Sequence, residues 1–270
     1  MSPSEPTPSL LLEAAVAAAR AGGLHALGNL HRRSETIMVA AHDVKLRLDV
    51  ECQDIAERTV KSFFPDHAIL AEESANLEHP AEAPSGSPYL WIIDPIDGTV
   101  NFSHGLPLWC CSVAVKARGT VLAGAVFAPA LNELYTAARG LPACCNGTPL
   151  RVSRTSALDK AMVLTGLDQK LTPRMNRFDL FRDIADHAQK ARVLGAAALD
   201  VCRVAAGQAD GYFESGIYTW DVAAAGLVAE QAGGRIEILG EPGPHRLYFL
   251  ATNGFVHDAL KALIQARLSA

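Results

Sequence analysis

Trp91-Ile92-Ile93-Asp94-Pro95-Ile96-Asp97-Gly98-Thr99-Val100-Asn101-Phe102 is the stretch on which the reading of this chain turns. It opens as an apolar run, which reads as a buried strand, and then breaks into turn chemistry at two carboxylates three positions apart. Pro95 fixes its own φ and holds Asp94 extended, so the turn is rigid. Gly98 lets backbone come close to a ligand, and Thr99 adds a hydroxyl. Two carboxylates fixed side by side repel each other unless a cation lies between them. Oxygen ligands without a neighbouring His or Cys suit a hard ion such as Mg²⁺. Taken alone, the stretch also reads as a strand ending in common Asp-Pro and Asp-Gly turns, so the other acids must decide.

The 270 residues suffice for one large domain or two small ones. A hydrophobic share of 49% with 20% charged residues fits a soluble globular enzyme. The net charge of −5 gives no basic footprint for nucleic acid or an anionic membrane, so neither is an expected partner. A phosphate-handling chain of this charge has to bring its own cations. The cysteines at 52, 110, 111, 144, 145 and 202 show no CxxC spacing and no Cys/His cluster, which reads as free thiols in a reducing cytoplasm. Residues 1–9 read as a disordered Pro/Ser tail. The apolar run from Leu10 is broken too soon by Glu13 and Arg20 to span a membrane, and no basic region marks a secretory leader.

Periodicity predicts a helix over residues 10–32, weakened at Gly22-Gly23, then a strand over 44–48 with Asp49 as the N-cap of the next helix. A strand at 68–71 runs into Glu72-Glu73-Ser74, and 75–88 reads as a surface loop. Strands at 111–117, 121–127 and 133–138 form an antiparallel meander. Beyond residue 160, strands at 162–165, 192–194, 211–214, 235–239 and 248–251 alternate with helices near 174–189, 196–206, 220–232 and 255–268. The expectation is an α/β layered chain with an N-terminal α+β half (10–143) and a C-terminal α/β half (144–270).

Glu73, Asp94, Asp97 and Asp221 fall at element ends beside apolar runs, where layered α/β architectures place ligands. Singly, Asp49 and Asp221 read as helix caps and Glu73 as part of a solvated turn. Together, four carboxylates need two or more divalent cations, the composition of a site that hydrolyses phosphate esters with activated water.

Trp91–Phe102 resembles the first signature of the inositol monophosphatase family, and residues 220–226 (Trp-Asp-Val-Ala-Ala-Ala-Gly) resemble its second. Residues 71–74, 195–200, 205–207 and 211–214 match in order and spacing. The resemblance implies an αβαβα fold, a Mg²⁺-dependent, lithium-sensitive phosphatase with two or three ions, and a cytoplasmic homodimer. It further implies Glu73, Asp94, the Ile96 carbonyl, Asp97 and Asp221 as metal ligands, with Asp49, Thr99 and Glu73 catalytic. Gly98 and Thr99 would hold phosphate, and Gly195, Ala196, Ala197 and Glu214 would face the substrate alcohol. The chain departs from the family in Ala71, Leu46-Arg47-Leu48 and Ala196, and in lacking a lysine between Arg33 and Lys45.

The expected reaction is in-line attack of metal-activated water on a small phosphorylated alcohol, inositol monophosphate or a related sugar phosphate. Histidinol phosphate, fructose-1,6-bisphosphate and a nucleotide 3′-phosphate are the alternatives within the family. An aspartyl-nucleophile phosphatase needs a single residue between its acids, whereas Pro95 and Ile96 both intervene here. A catalytically silent binding protein on the same fold is the alternative of another class.

Overall fold

The computed structural model describes residues 5–40, 43–75, 87–167 and 177–268. Strand β4 (Tyr89–Asp97) is buried at all nine positions, so both of its faces must be covered. Period-two alternation sends Tyr89, Trp91 and Ile93 to one side and Leu90 and Ile92 to the other.

The first side meets α1 (Pro8–Gly28) and α2 (Arg47–Phe63), separated by the hairpin β1 (Thr36–Ala40) and β2 (Asp43–Leu46). Helix α1 starts inside the predicted tail: Thr7 accepts from the backbone N–H of Leu10 at 3.3 Å and Pro8 takes the first turn. Although α1 has the length and hydropathy of a membrane span, its Leu11, Ala14, Ala15, Ala18 and Ala19 lie buried against the sheet. Gly22 and Gly23 do not break it. They are the places where other elements press closest: a Cβ on Gly23 would sit 2.8 Å from the Phe127 ring, and one on Gly22 3.2 Å from Cys111 Sγ.

Strand β3 (Ala68–Ala71) runs parallel to β4. Then β5 (Cys110–Ala117), β6 (Thr120–Ala128), β7 (Glu133–Ala138) and the short β8 (Cys144–Cys145) and β9 (Thr148–Pro149) extend the sheet antiparallel, giving seven strands in the order β3-β4-β5-β6-β7-β8-β9. A six-residue helix, α3 (Thr99–His104), leaves the end of β4. The second sheet combines β10 (Met162–Thr165), β11 (Lys190–Arg192), β12 (Gly211–Tyr218), β13 (Arg235–Gly243) and β14 (Arg246–Thr252) in the order β11-β10-β12-β14-β13. Between the sheets lie α5 (Ala197–Ala205) and α6 (Thr219–Gln231). Their core joins Leu90, Ile92 and Ala114 of the first sheet to Leu164, Tyr212 and Phe249 of the second. On the outer face of the second sheet, α4 (Arg177–His187) and α7 (His257–Leu268) cover Val163, Phe213 and Leu250. The layers are therefore αβαβα, as expected from the sequence.

Three local readings change. The predicted strand at 44–48 ends at Leu46, because Arg47 and Leu48 already belong to α2 and Leu48 is buried within it. Asp49 is accordingly not the N-cap residue; it sits one turn in and reaches back to the Leu46 backbone N–H at 2.7 Å. The strand expected at 192–194 stands at Lys190–Arg192. The loop predicted over 75–88 lies mostly outside the described residues.

Candidate active site

The parallel register of β3 and β4 pairs Leu70 with Ile92 and Ala71 with Ile93. Leu70 and Ile92 face the middle layer, whereas Ala71 and Ile93 face α1 and α2. One residue further, alternation returns Glu72 and Asp94 together to the middle layer, and both line one cavity. Glu73 takes the opposite side. Its N–H donates to Gln53 Oε1 of α2 at 2.8 Å, and its carboxylate pairs with Lys45 Nζ at 2.5 Å. The expectation that Glu73 joins Asp94, Asp97 and Asp221 is thus corrected: the geometry brings Glu72 there.

Pro95 forces a register shift between Asp94 and Asp97, which turns both acids toward the same cavity. Asp94 Oδ1 accepts from the Ile96 N–H at 3.0 Å, fixing the turn from inside. Asp97 reaches into the second half of the chain and accepts from the N–H groups of Ala197 (3.1 Å) and Ala198 (2.8 Å), the first turn of α5. Ala196 precedes that helix and offers no side-chain cap, so Asp97 supplies it from another element. Gly98 follows with φ 85°, and a Cβ there would stand 2.9 Å from the Leu108 carbonyl and 3.0 Å from Ala196 Cβ. Only glycine suits this crossing of the two halves. Thr99 Oγ1 donates to the Ile96 carbonyl at 2.8 Å. Asn101 secures the same crossing by donating to the carbonyls of Leu108 (2.9 Å) and Leu194 (2.8 Å).

Asp221 lies in the first turn of α6 and accepts from the Tyr218 N–H at 2.9 Å. Carboxylate oxygens of Asp94, Asp97 and Asp221 lie within 4.8 Å of one another. The cavity they share with Glu72 holds about 320 Å³. Its other walls include Ile96, Gly98, Thr99, Thr165, Gly166, the Gly195–Ala197 turn, Asp200 and Glu214. Asp49 is not among them: it is buried behind the turn that carries Glu72 and Glu73, with Oδ1 lacking a hydrogen-bond partner.

Burial and mutual repulsion push these acids up together. Desolvation, then Glu72, Asp97 and Asp221, hold Asp94 well above the usual carboxylate range. Desolvation followed by Glu72 and Asp97 does the same for Asp221. Asp97 rises only to about 6, because burial is opposed by the α5 N–H groups and the Cys110 thiol. Desolvation raises Asp49 and Asp200 to about 8 each. An oxygen-only cluster of acids that resist ionising together fits a hard divalent cation.

The sign of this arrangement is measurable. A carboxyl whose folded pKa is raised stabilises the fold fully below its unfolded value, and that stability is lost as pH climbs through the folded value. Chelator-treated protein is therefore expected to melt progressively lower between pH 6.5 and 8.5, by on the order of 1 kcal/mol per unit for each group crossing its pKa. Excess Mg²⁺ suppresses the slope. Acids shifted the other way, such as Glu51 at about 2, titrate outside this window. A melting temperature that is flat or rising over that range in chelator contradicts the assignment.

Of the residues singled out from the sequence, the structure gathers Asp94, Ile96, Asp97, Gly98, Thr99, Gly195, Ala196, Ala197, Glu214 and Asp221 on one cavity. It sets Glu73 and Asp49 behind it. Sequence reasoning missed Glu72, Thr165, Gly166 and Asp200. Alternation continued one residue past β3 identifies Glu72. Asp200 carries a fainter signal, an acid in the first turn of α5, whose remaining residues apart from Arg203 are apolar. Gly166 gives none by itself: a Cβ there would meet the Glu214 carboxylate at 1.8 Å, a neighbour 48 positions away that only the fold supplies.

The Inositol monophosphatase family profile matches residues 8–269. A Nus factor SuhB of Pseudomonas aeruginosa is 35% identical over 269 residues, covering 96% of this chain and 97% of that protein. An inositol-1-monophosphatase of Synechocystis sp. is 36% identical over 230 residues, 84% of this chain and 78% of that one. The solved inositol monophosphatase of Anabaena (Nostoc) sp. superimposes with a TM-score of 0.80 at 34% identity, over 96% of both chains. With these likenesses spanning nearly its whole length and the acid cavity in place, the chain belongs to the inositol monophosphatase family of phosphoric monoester hydrolases.

Proposed function

We propose that this protein is a Mg²⁺-dependent phosphomonoesterase acting on a small phosphorylated alcohol, inositol monophosphate or a related sugar phosphate. The observation that carries the reading is the meeting of Glu72, Asp94, Asp97 and Asp221, from both halves of the chain, on one cavity. Glu72, Asp94, the Ile96 carbonyl, Asp97 and Asp221 hold two or three ions. Glu72 takes the ligand place expected of Glu73, because Glu73 faces away. When bound, the ions acidify the attacking water and offset charge on the leaving oxygen.

The chain's own residues do the rest. The left-handed turn at Gly98 brings backbone close enough for the N–H groups of Gly98 and Thr99 to hold phosphate. Thr99, anchored to the Ile96 carbonyl, orients the water, whereas Asp49, set behind the cavity, is left out of the proton transfer that the sequence implied for it. Gly195, Ala196 and Ala197 form an apolar wall for the alcohol, while Glu214, held by the Tyr212 hydroxyl at 2.5 Å, reads its hydroxyl groups. A cytoplasmic homodimer sensitive to lithium accompanies this reading.

A panel of inositol, sugar, histidinol and nucleotide 3′-phosphates, assayed with Mg²⁺, with added lithium and with chelator, tests it. Selective phosphate release that needs Mg²⁺ is expected, and Thr99→Ala lowers kcat by about 10²-fold with little change in the Mg²⁺ midpoint. No turnover on any ester favours a silent binding protein. A Thr99→Ala variant altered only in Mg²⁺ midpoint overturns the role given to Thr99.

A further inference from the structure

Behind Glu72 lies a second acidic group that the cavity does not include. Glu73 and Gln53 meet there, near enough to Asp49 for the Glu73 charge to act on it, where the turn after β3 packs on the first two turns of α2. Gln53 fixes the turn from both ends, accepting from the Glu73 N–H at 2.8 Å and donating to Ser74 Oγ at 3.2 Å. Asp49 is 2% exposed, its Oδ2 accepts from the Leu46 N–H, and its Oδ1 is a buried acceptor without a donor. The charge on this group comes from the hairpin. Lys45 Nζ stands 2.5 Å from Glu73 Oε2 and 3.2 Å from the Glu73 carbonyl, with the Glu73 side chain only 10% exposed.

We infer that Lys45 is a tethered counter-ion: its ammonium takes the Glu73 carboxylate and carbonyl beside Asp49, excludes a divalent cation from them, and so sets how many ions the protein takes. The inference rests on the phosphatase reading for the main cluster and adds a claim about this chain's own lysine. The chemistry is plain. An ammonium and a hard divalent cation compete for the same carboxylate and carbonyl oxygens, and the Glu73 side chain and carbonyl already face one point. Lys45 sits on a hairpin strand, so its amine is delivered by backbone pairing rather than by a free chain end. It also supports the site indirectly, since Glu73 directly follows Glu72 and its anchoring fixes the turn from which Glu72 reaches the cavity. Lys45 is in this sense a positioning residue, not a catalytic one.

The test counts ions on the chelator-treated full chain by titration with Mn²⁺, reading free Mn²⁺ by electron paramagnetic resonance. Lys45→Met is expected to bind one more ion per chain than the wild type, and its metal-free form to melt lower. Lys45→Arg keeps the wild-type count, because the charge stays. Adding Glu73→Gln to Lys45→Met returns the count to the wild-type value, a reversal that a merely structural role does not produce. Should Lys45→Met fail to fold, Lys45→Gln is read in the same way. Equal counts and midpoints in wild type and Lys45→Met overturn the inference, as does a gain that survives Glu73→Gln. A wild type that binds no Mn²⁺ is a different failure, which removes the phosphatase reading itself.

Discussion

Asp94→Asn and Asp221→Asn each abolish Mg²⁺-dependent phosphate release, a fall of about 10³-fold or more, while the chelator-treated variants melt higher than the wild type. Both halves of this expectation come from one fact. Asp94 is 1% exposed and hemmed in by Glu72, Asp97 and Asp221, so its ionised form is tolerated only when a cation is present. Asparagine keeps the acceptor that meets the Ile96 N–H at 3.0 Å, and keeps the volume. What it removes is a charge that costs stability without metal and supplies binding with it. Phosphate release and thermal melting in chelator, measured on the same preparations, check both. Full activity in either variant sinks the site. Lost activity with lower metal-free stability points to a general packing defect instead.

Glu72→Gln and Glu73→Gln are expected to part company, although the residues are adjacent. Glu72 shares the cavity with Asp94, and its loss lowers kcat/KM by about 10²-fold or more, with a weaker Mg²⁺ midpoint. Glu73 pairs with Lys45 on the far side of the turn, so its replacement leaves turnover within about tenfold of the wild type at saturating Mg²⁺. Its cost falls on stability, by about 1 kcal/mol for a partly buried ion pair. Kinetics at several Mg²⁺ concentrations separate the two. The opposite pattern, with Glu73 indispensable and Glu72 replaceable, restores the ligand set implied by the family resemblance.

That pair shows where reading the sequence stops. The signature around Asp94 and Asp97 is local: strand, proline, bulge and glycine turn are all written in consecutive residues, and Asp94, Asp97, Gly98 and Thr99 are found where those residues put them. Choosing between Glu72 and Glu73 needs the register of β3 against β4, because one step along a strand exchanges its faces. Gly22 and Gly23 follow the same logic. In the sequence they weaken a helix; in the fold they are where Phe127 and Cys111 press against it. Asp49 and Asp221 looked like N-caps and do satisfy backbone at helix starts, but from the first turn rather than the cap position.

By itself the sequence determined the layered α/β class, the strand that ends in acids, the meander after it and the alternating second half. Each of these is carried by hydrophobic period and turn chemistry within a few residues. Tertiary structure alone decided which glutamate reaches the cavity, that Asp97 caps a helix one hundred positions away, and that a lysine on a hairpin neutralises the turn behind the site. The reason is physical: propensity and pattern act along the chain, whereas a carboxylate's partners, its burial and its charge state depend on what packing brings beside it.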